Sequence, residues 1–131
     1  MIGLDTNIVI RYLTQDDEIQ SKIVKNFIET ELSEQQGFIT TVSLIEMVWI
    51  LESCYKQPKS AIVRILESLL ATTQFAIESS EIIHVAVKRF SKGNADFNDA
   101  VMAVTAEKVG CTKVVSFDKK SHSVGMTILK N

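Results

Sequence analysis

Short apolar runs alternate along the chain with longer segments whose apolar residues recur every three or four positions, and that alternation predicts repeated strand-helix units. The first run, Ile2-Gly3-Leu4, stops at Asp5-Thr6-Asn7, the pattern of an inner strand with a polar tip and a helix start behind it. Ile8 to Leu13 predicts a short helix with Arg11 as its one charge. Between Asp16 and Leu32, the residues Ile19, Ile23, Val24, Phe27 and Ile28 make an apolar stripe, leaving Lys22, Lys25, Glu29 and Glu31 for the other face. Phe38-Ile39-Thr40 reads as the second strand. From Ser43 to Tyr55 apolar residues point in nearly every direction around a helix, which is therefore expected to be buried on more than one side, within the domain or against a second chain. Gln57-Pro58 ends that helix and starts an amphipathic one to about Ala71. Gln74 to Ile77 is a third strand, and Ser79 or Ser80 caps a helix through Lys92 that buries Ile83, Val87 and Phe90. A small-residue helix follows the Gly93-Asn94 turn and ends at Gly110. Lys113 to Asp118 repeats the grammar of the opening, and Met126 to Leu129 is the final strand. The alternation implies an α/β fold with a parallel, helix-flanked sheet.

Composition narrows this further. At 131 residues and 46% hydrophobic content, one domain spanning residues 1–131 is expected. The balance of 14 basic against 16 acidic side chains, net charge −2, argues against a sequence-independent basic clamp on nucleic acid but leaves local patches open. Cys54 and Cys111 have neither ligand nor disulfide-framework spacing, and His84 and His122 lack partners at ligand spacing. No apolar run approaches the ~20 residues that span a bilayer, and no signal-peptide pattern is seen. A soluble, cytoplasmic protein with no membrane partner is the expectation.

Four carboxylates then draw the chemistry together: Asp5, Glu46, Asp99 and Asp118, each at a strand end or helix start in a largely apolar segment. Each has a plainer reading as well. Asp5 and the nearby Asp96 suit N-caps, and Glu46 suits a capping box with Ser43. If the strands are parallel, Asp5 and Asp118 leave the sheet at one edge, with Glu46 and Asp99 on helix starts nearby. Clustered carboxylates repel and take up protons unless a cation lies between them, and oxygen-only ligands favour Mg²⁺ or Mn²⁺. Such a centre activates water and stabilises charge on phosphorus during in-line displacement. Thr6, Asn7 and Ser116 adjoin the acids and can support a ligating water or carboxylate. Arg11, Lys119 and Lys120 can contact phosphates, although exposed lysines are more often solvated surface.

Leu4-Asp5-Thr6-Asn7, Glu46 behind Thr41-x-Ser43, Asp96-Phe97-Asn98-Asp99-Ala100 and Ser116-Phe117-Asp118 together resemble the motifs of PIN-domain ribonucleases, and more narrowly those of VapC toxins. The resemblance covers the whole chain. It implies a three-layer α/β/α sandwich around a mostly parallel sheet. It also implies a Mg²⁺- or Mn²⁺-dependent endoribonuclease that cleaves RNA with activated water and acts as the toxin of a type II toxin–antitoxin pair. Such proteins are usually homodimers, and a cognate antitoxin holds them inactive through a C-terminal segment near the acids. By motif, Asp5, Glu46, Asp99 and Asp118 match the acidic quartet, and Asp96 matches an additional acid. Two rivals remain. A haloacid-dehalogenase phosphatase needs a second Asp two positions after the first, where this chain has Asn7; a non-catalytic binding domain would use the acids only as caps.

Overall fold

The computed structural model describes residues 1–130. The fold is α/β, and every strand pairing among those residues is parallel. The chain packs as two compact units: residues 1–57 with 68–78, and residues 58–67 with the chain from Ser79 onward.

The first unit holds β1 (Ile2–Gly3), α1 (Thr6–Thr14), α2 (Glu18–Glu31), β2 (Gly37–Ile39), α3 (Thr41–Ser53) and β3 (Phe75–Ile77). Its three strands pair in sequence order, Ile2 beside Gly37 and Gly37 beside Phe75. Leu4, Ile10, Ile39, Leu44, Met47 and Leu51 form its buried centre, and Tyr12 meets Phe75 edge-on at 5.6 Å. Gly37 lies so close to this centre that a Cβ there would stand 2.7 Å from Leu4 Cδ1, so the sheet can approach Leu4 only without a side chain at that position.

Three local expectations change here. The α2 stripe is rotated: Ser21, Val24 and Ile28 are buried at three- and four-residue steps, whereas Ile19 and Ile23 are exposed. Ser21 can take a buried position because its hydroxyl donates to the Arg11 carbonyl oxygen, whereas Ile19 and Ile23 fall on the flank of the stripe. α3 starts at Thr41 rather than Ser43. Thr40 is its N-cap, accepting from the Ser43 N–H at 3.1 Å, and Glu78 accepts from the Thr41 N–H at 2.8 Å. With the first-turn donors satisfied from Thr40 and from beyond β3, the Ser43–Glu46 box does not form, and Glu46 sits exposed further along the helix. Finally, α3 buries Leu44, Met47, Val48 and Leu51 but leaves Val42 76% and Trp49 63% exposed, so one face of this apolar helix is open.

The second unit contains α5 (Ser80–Lys92), α6 (Phe97–Lys108), β4 (Val115–Ser116), a 3₁₀ segment (Lys119–Val124) and β5 (Thr127–Ile128). α4 (Lys59–Ala71) contributes its first residues here and its last to the first unit. β4 and β5 make a separate pair, Ser116 beside Ile128. α5 and α6 pack on each other and on the 3₁₀ segment, with Phe90 and Phe97 edge-on at 5.7 Å. The alanines of α6 allow this close approach, Ala100 and Ala103 being completely buried. Arg89 on α5 ties three elements together: it forms a two-pronged ion pair with Glu107 of α6 and donates to the Val124 carbonyl oxygen at 3.0 Å. That contact raises the guanidinium pKa and lowers the carboxyl pKa, each chiefly through the hydrogen bond to the other. Among the described residues no helix is long and apolar enough to cross a membrane.

Candidate active site

Asp5 follows β1 and is the N-cap of α1, its carboxylate accepting from the Thr6 N–H at 2.9 Å. Thr6 is buried, and Asn7 is exposed beside a hollow of about 300 Å³ that it shares with Ile8, Arg11, Gln20, Ile23 and Val24. Arg11 is already engaged. Its guanidinium donates to Gln20 Oε1 at 2.8 Å, to Asp16 at 3.2 Å and to the Tyr55 hydroxyl at 3.3 Å. Tyr55 in turn donates to Asp16 at 2.8 Å, so Arg11 pins α1 to the start of α2 and the end of α3.

The second unit brings three acids together. Asp96 occupies the N-cap position of α6 with extended backbone, yet its side chain makes no capping hydrogen bond. The expected cap is therefore one of position only. Asp99, three residues on in the first turn, is the carboxylate that feels the cluster. Its pKa is raised, first by desolvation and then by the negative charges of Asp96 and Asp118, while the Asp96 backbone N–H and the Ser121 hydroxyl act in the opposite direction. Asp118 stands after β4, and two local bonds fix it. Its N–H donates to Ser116 Oγ and its Oδ1 accepts from the Lys120 N–H, both at 3.0 Å. Ser116 thus orients Asp118, while Lys119 and Lys120 lie exposed on the 3₁₀ segment.

Two serines that sequence reasoning passed over complete this cluster. Ser121 is 1% exposed, and its Oγ has no well-formed hydrogen bond although Asp99 is its carboxylate neighbour. Ser123 accepts from the Asn94 N–H at 3.1 Å and donates to the Lys120 carbonyl oxygen at 2.8 Å. It stitches the turn before Asp96 to the segment after Asp118. Gly93 makes that contact possible, since a Cβ there would lie 2.4 Å from Ser123 Oγ. Lys59 secures the same turn by donating to the Gly93 carbonyl oxygen while lying 5.0 Å above the Phe90 ring. The only sequence signal is the Ser-x-Ser spacing shortly after Asp118, too common a pattern to single out.

Oxygen donors alone, with Asp99 repelled by Asp96 and Asp118 and a buried hydroxyl without a well-formed hydrogen bond beside it, fit a hard divalent cation. Among the described residues no group of three or more His, Cys, Asp or Glu side chains is placed to hold a metal ion by itself. Mg²⁺ commonly needs no more than one or two carboxylates, with waters and substrate oxygens filling the remaining positions.

Comparison with known proteins decides the family. The chain matches the PIN domain over residues 2–125. It is also 30% identical over 122 residues to the VapC ribonuclease of Aquifex aeolicus (strain VF5), an alignment covering 93% of this chain and 90% of that protein. The chain belongs to the PIN-domain family, as a VapC-type member. No solved structure matches it significantly. The PIN match runs through all four acidic segments, from Asp5 after β1 to Asp118 after β4. Family membership makes the protein a nuclease of the ribonuclease type and displaces the haloacid-dehalogenase alternative.

Proposed function

We propose that this PIN-domain protein is a Mg²⁺- or Mn²⁺-dependent endoribonuclease, the toxin of a type II toxin–antitoxin pair acting in the cytoplasm. The observation that carries the reading is Asp99. It is a part-buried carboxylate facing two further acids, in a chain that aligns over nearly its whole length with a VapC ribonuclease. Asp5, Glu46, Asp99 and Asp118 are the proposed ligand set, with Asp96 as an additional acid. Support comes from their local placement. Asp5 and Asp118 each stand two residues beyond a parallel strand, where α/β proteins place their ligands, while Asp99 lies in the first turn of α6 and Glu46 within the helix after β2. A PIN match continuous across both compact units supports a single domain.

When bound, the cation supplies an acidic water and offsets the charge that builds on the phosphorus. The chain's own residues do the positioning. Ser116 and the Lys120 N–H hold Asp118, Ser123 spaces the Asp96–Asp99 turn from Asp118, and Lys119 and Lys120 are free to meet phosphates. The Thr6 N–H supports Asp5 at the start of α1, and Asn7 follows it as a further proposed support. Cleavage of single-stranded RNA should require Mg²⁺ or Mn²⁺, stop in EDTA and fall sharply in Asp5→Asn. Undiminished cleavage by chelated protein or by that variant would sink the metal assignment.

An apolar groove of about 210 Å³ lined by Gly3, Leu4, Ile8, Ile23, Val24 and Phe27 offers an antitoxin segment a seat in the first unit. Growth arrest on expression, relieved by the neighbouring small reading frame, tests this partner. The open α3 face with Val42 and Trp49 supports a homodimer, since exposed apolar side chains on a mostly apolar helix invite a second copy. Sedimentation velocity at micromolar concentration should give a dimer for the wild type and a monomer for Trp49→Glu. A monomeric wild type would refute the dimer.

A further inference from the structure

We propose that Phe117 is a stacking platform for an unpaired RNA base beside the scissile phosphate, which extends the nuclease reading above and rests on it. Of the six phenylalanines in the chain, Phe75, Phe90 and Phe97 are buried and Phe27 and Phe38 half-buried; Phe117 is 66% exposed. Leaving a phenyl ring in water forgoes roughly 1.5–3 kcal/mol of burial.

The ring does not hang from a loose loop. Ser116 is paired in β4 and accepts the Leu129 N–H on its carbonyl oxygen at 2.8 Å. On the other side Asp118 is held by Ser116 Oγ, and its own carbonyl oxygen accepts from the Ser121 N–H at 3.0 Å. Phe117 is therefore clamped between two fixed residues, and its Cα lies about 3.8 Å from that of Asp118. An aromatic face and an acid proposed to act on phosphorus thus leave the backbone from adjacent positions.

The surroundings favour nucleic acid as the occupant. Lys119 and Lys120 follow immediately and are exposed, so two cations, an aromatic ring and a carboxylate occupy four consecutive positions. Aromatic rings interleaved with cations are how proteins hold single strands, the ring taking a base and the cations the backbone. Stacking tolerates any base, so Phe117 anchors the strand beside the cleavage position without itself reading sequence. A protein partner would seek a wider apolar surface than one ring beside two lysines and an aspartate.

The test is fluorescence anisotropy of a labelled single-stranded RNA with the full chain in EDTA, where cleavage is blocked, alongside KM and kcat in Mn²⁺. Phe117→Ala and Phe117→Leu should each weaken RNA binding roughly 5- to 100-fold and raise KM more than they lower kcat, whereas Phe117→Trp should restore both. Melting temperatures should stay close to wild type, because the side chain is exposed. Wild-type affinity in Phe117→Leu would overturn stacking, since an apolar side chain without a π-face would then hold the RNA equally well. Wild-type affinity in Phe117→Ala would overturn any binding role for the ring. A wild type that neither binds nor cleaves RNA would refute the nuclease reading itself, a result distinguishable from both.

Discussion

Replacing Asp99 by asparagine should cut RNA cleavage by more than about 100-fold while making the metal-free protein more stable. Changes one step removed from a metal already cost ~10–100-fold, so loss of a ligand should exceed that range. The stability gain follows from the direction of the Asp99 shift. Its folded pKa is raised by desolvation and by Asp96 and Asp118, so the charged form is less favourable in the folded chain than in the unfolded one at neutral pH. Asparagine removes that penalty, so the metal-free variant should melt above the wild type. Adding Mn²⁺ should reverse the order, since a cation that binds only the folded state stabilises the wild type by mass action and gains little on the variant. Thermal melts with and without Mn²⁺, paired with a cleavage assay, read both effects. Equal Tm gains with Mn²⁺ in the two proteins would remove Asp99 from the metal centre.

The second large effect is expected from Phe97→Ala. Phe97 is 1% exposed, opens α6 between Asp96 and Asp99, and meets Phe90 edge-on. Truncating a buried phenylalanine costs about 3–5 kcal/mol, part of it the edge-on aromatic contact. That is a large fraction of the roughly 5–15 kcal/mol that holds a typical domain together. Urea unfolding followed by circular dichroism should show the midpoint falling accordingly, with Phe97→Leu much milder because most of the volume is kept. A loss below about 1 kcal/mol in Phe97→Ala would mean that α6 is not anchored by this ring. Where Phe97→Leu folds, its cleavage rate reports how far Asp99 depends on the ring behind it.

Local signals carry far in this chain. The five strands among the described residues lie where short apolar runs are bounded by polar or turn-forming residues, and the breaks at Pro58 and Gly110 appear at the expected places, Gly110 with the positive φ of 96° that glycine tolerates. Asp5 and Asp118 are legible as polar tips after strands because one strand and the turn behind it suffice to place them. Glu46 is misread by local rules, for its Ser43 box is pre-empted by Thr40 and by Glu78, which is distant in sequence. The α2 stripe goes astray for the same kind of reason. Ile19 and Ser21 can be ranked by hydrophobicity alone, but burial of Ser21 depends on the Arg11 carbonyl oxygen it meets.

By itself, then, the sequence determined the order of elements, the fold class and the placing of Asp5 and Asp118 after strands, since periodicity, turn chemistry and capping act over a few residues. Tertiary structure alone decided that the assigned strands form two sheets, that α3 keeps an open face with Trp49, and that Gly93 must be bare to meet Ser123. It also decided the fates of two neighbours: Ser121 is enclosed without a good partner, while Phe117, apolar and only four residues before it, stands in solvent. Burial and satisfaction depend on what other segments bring to a residue, and no short window of sequence contains those segments.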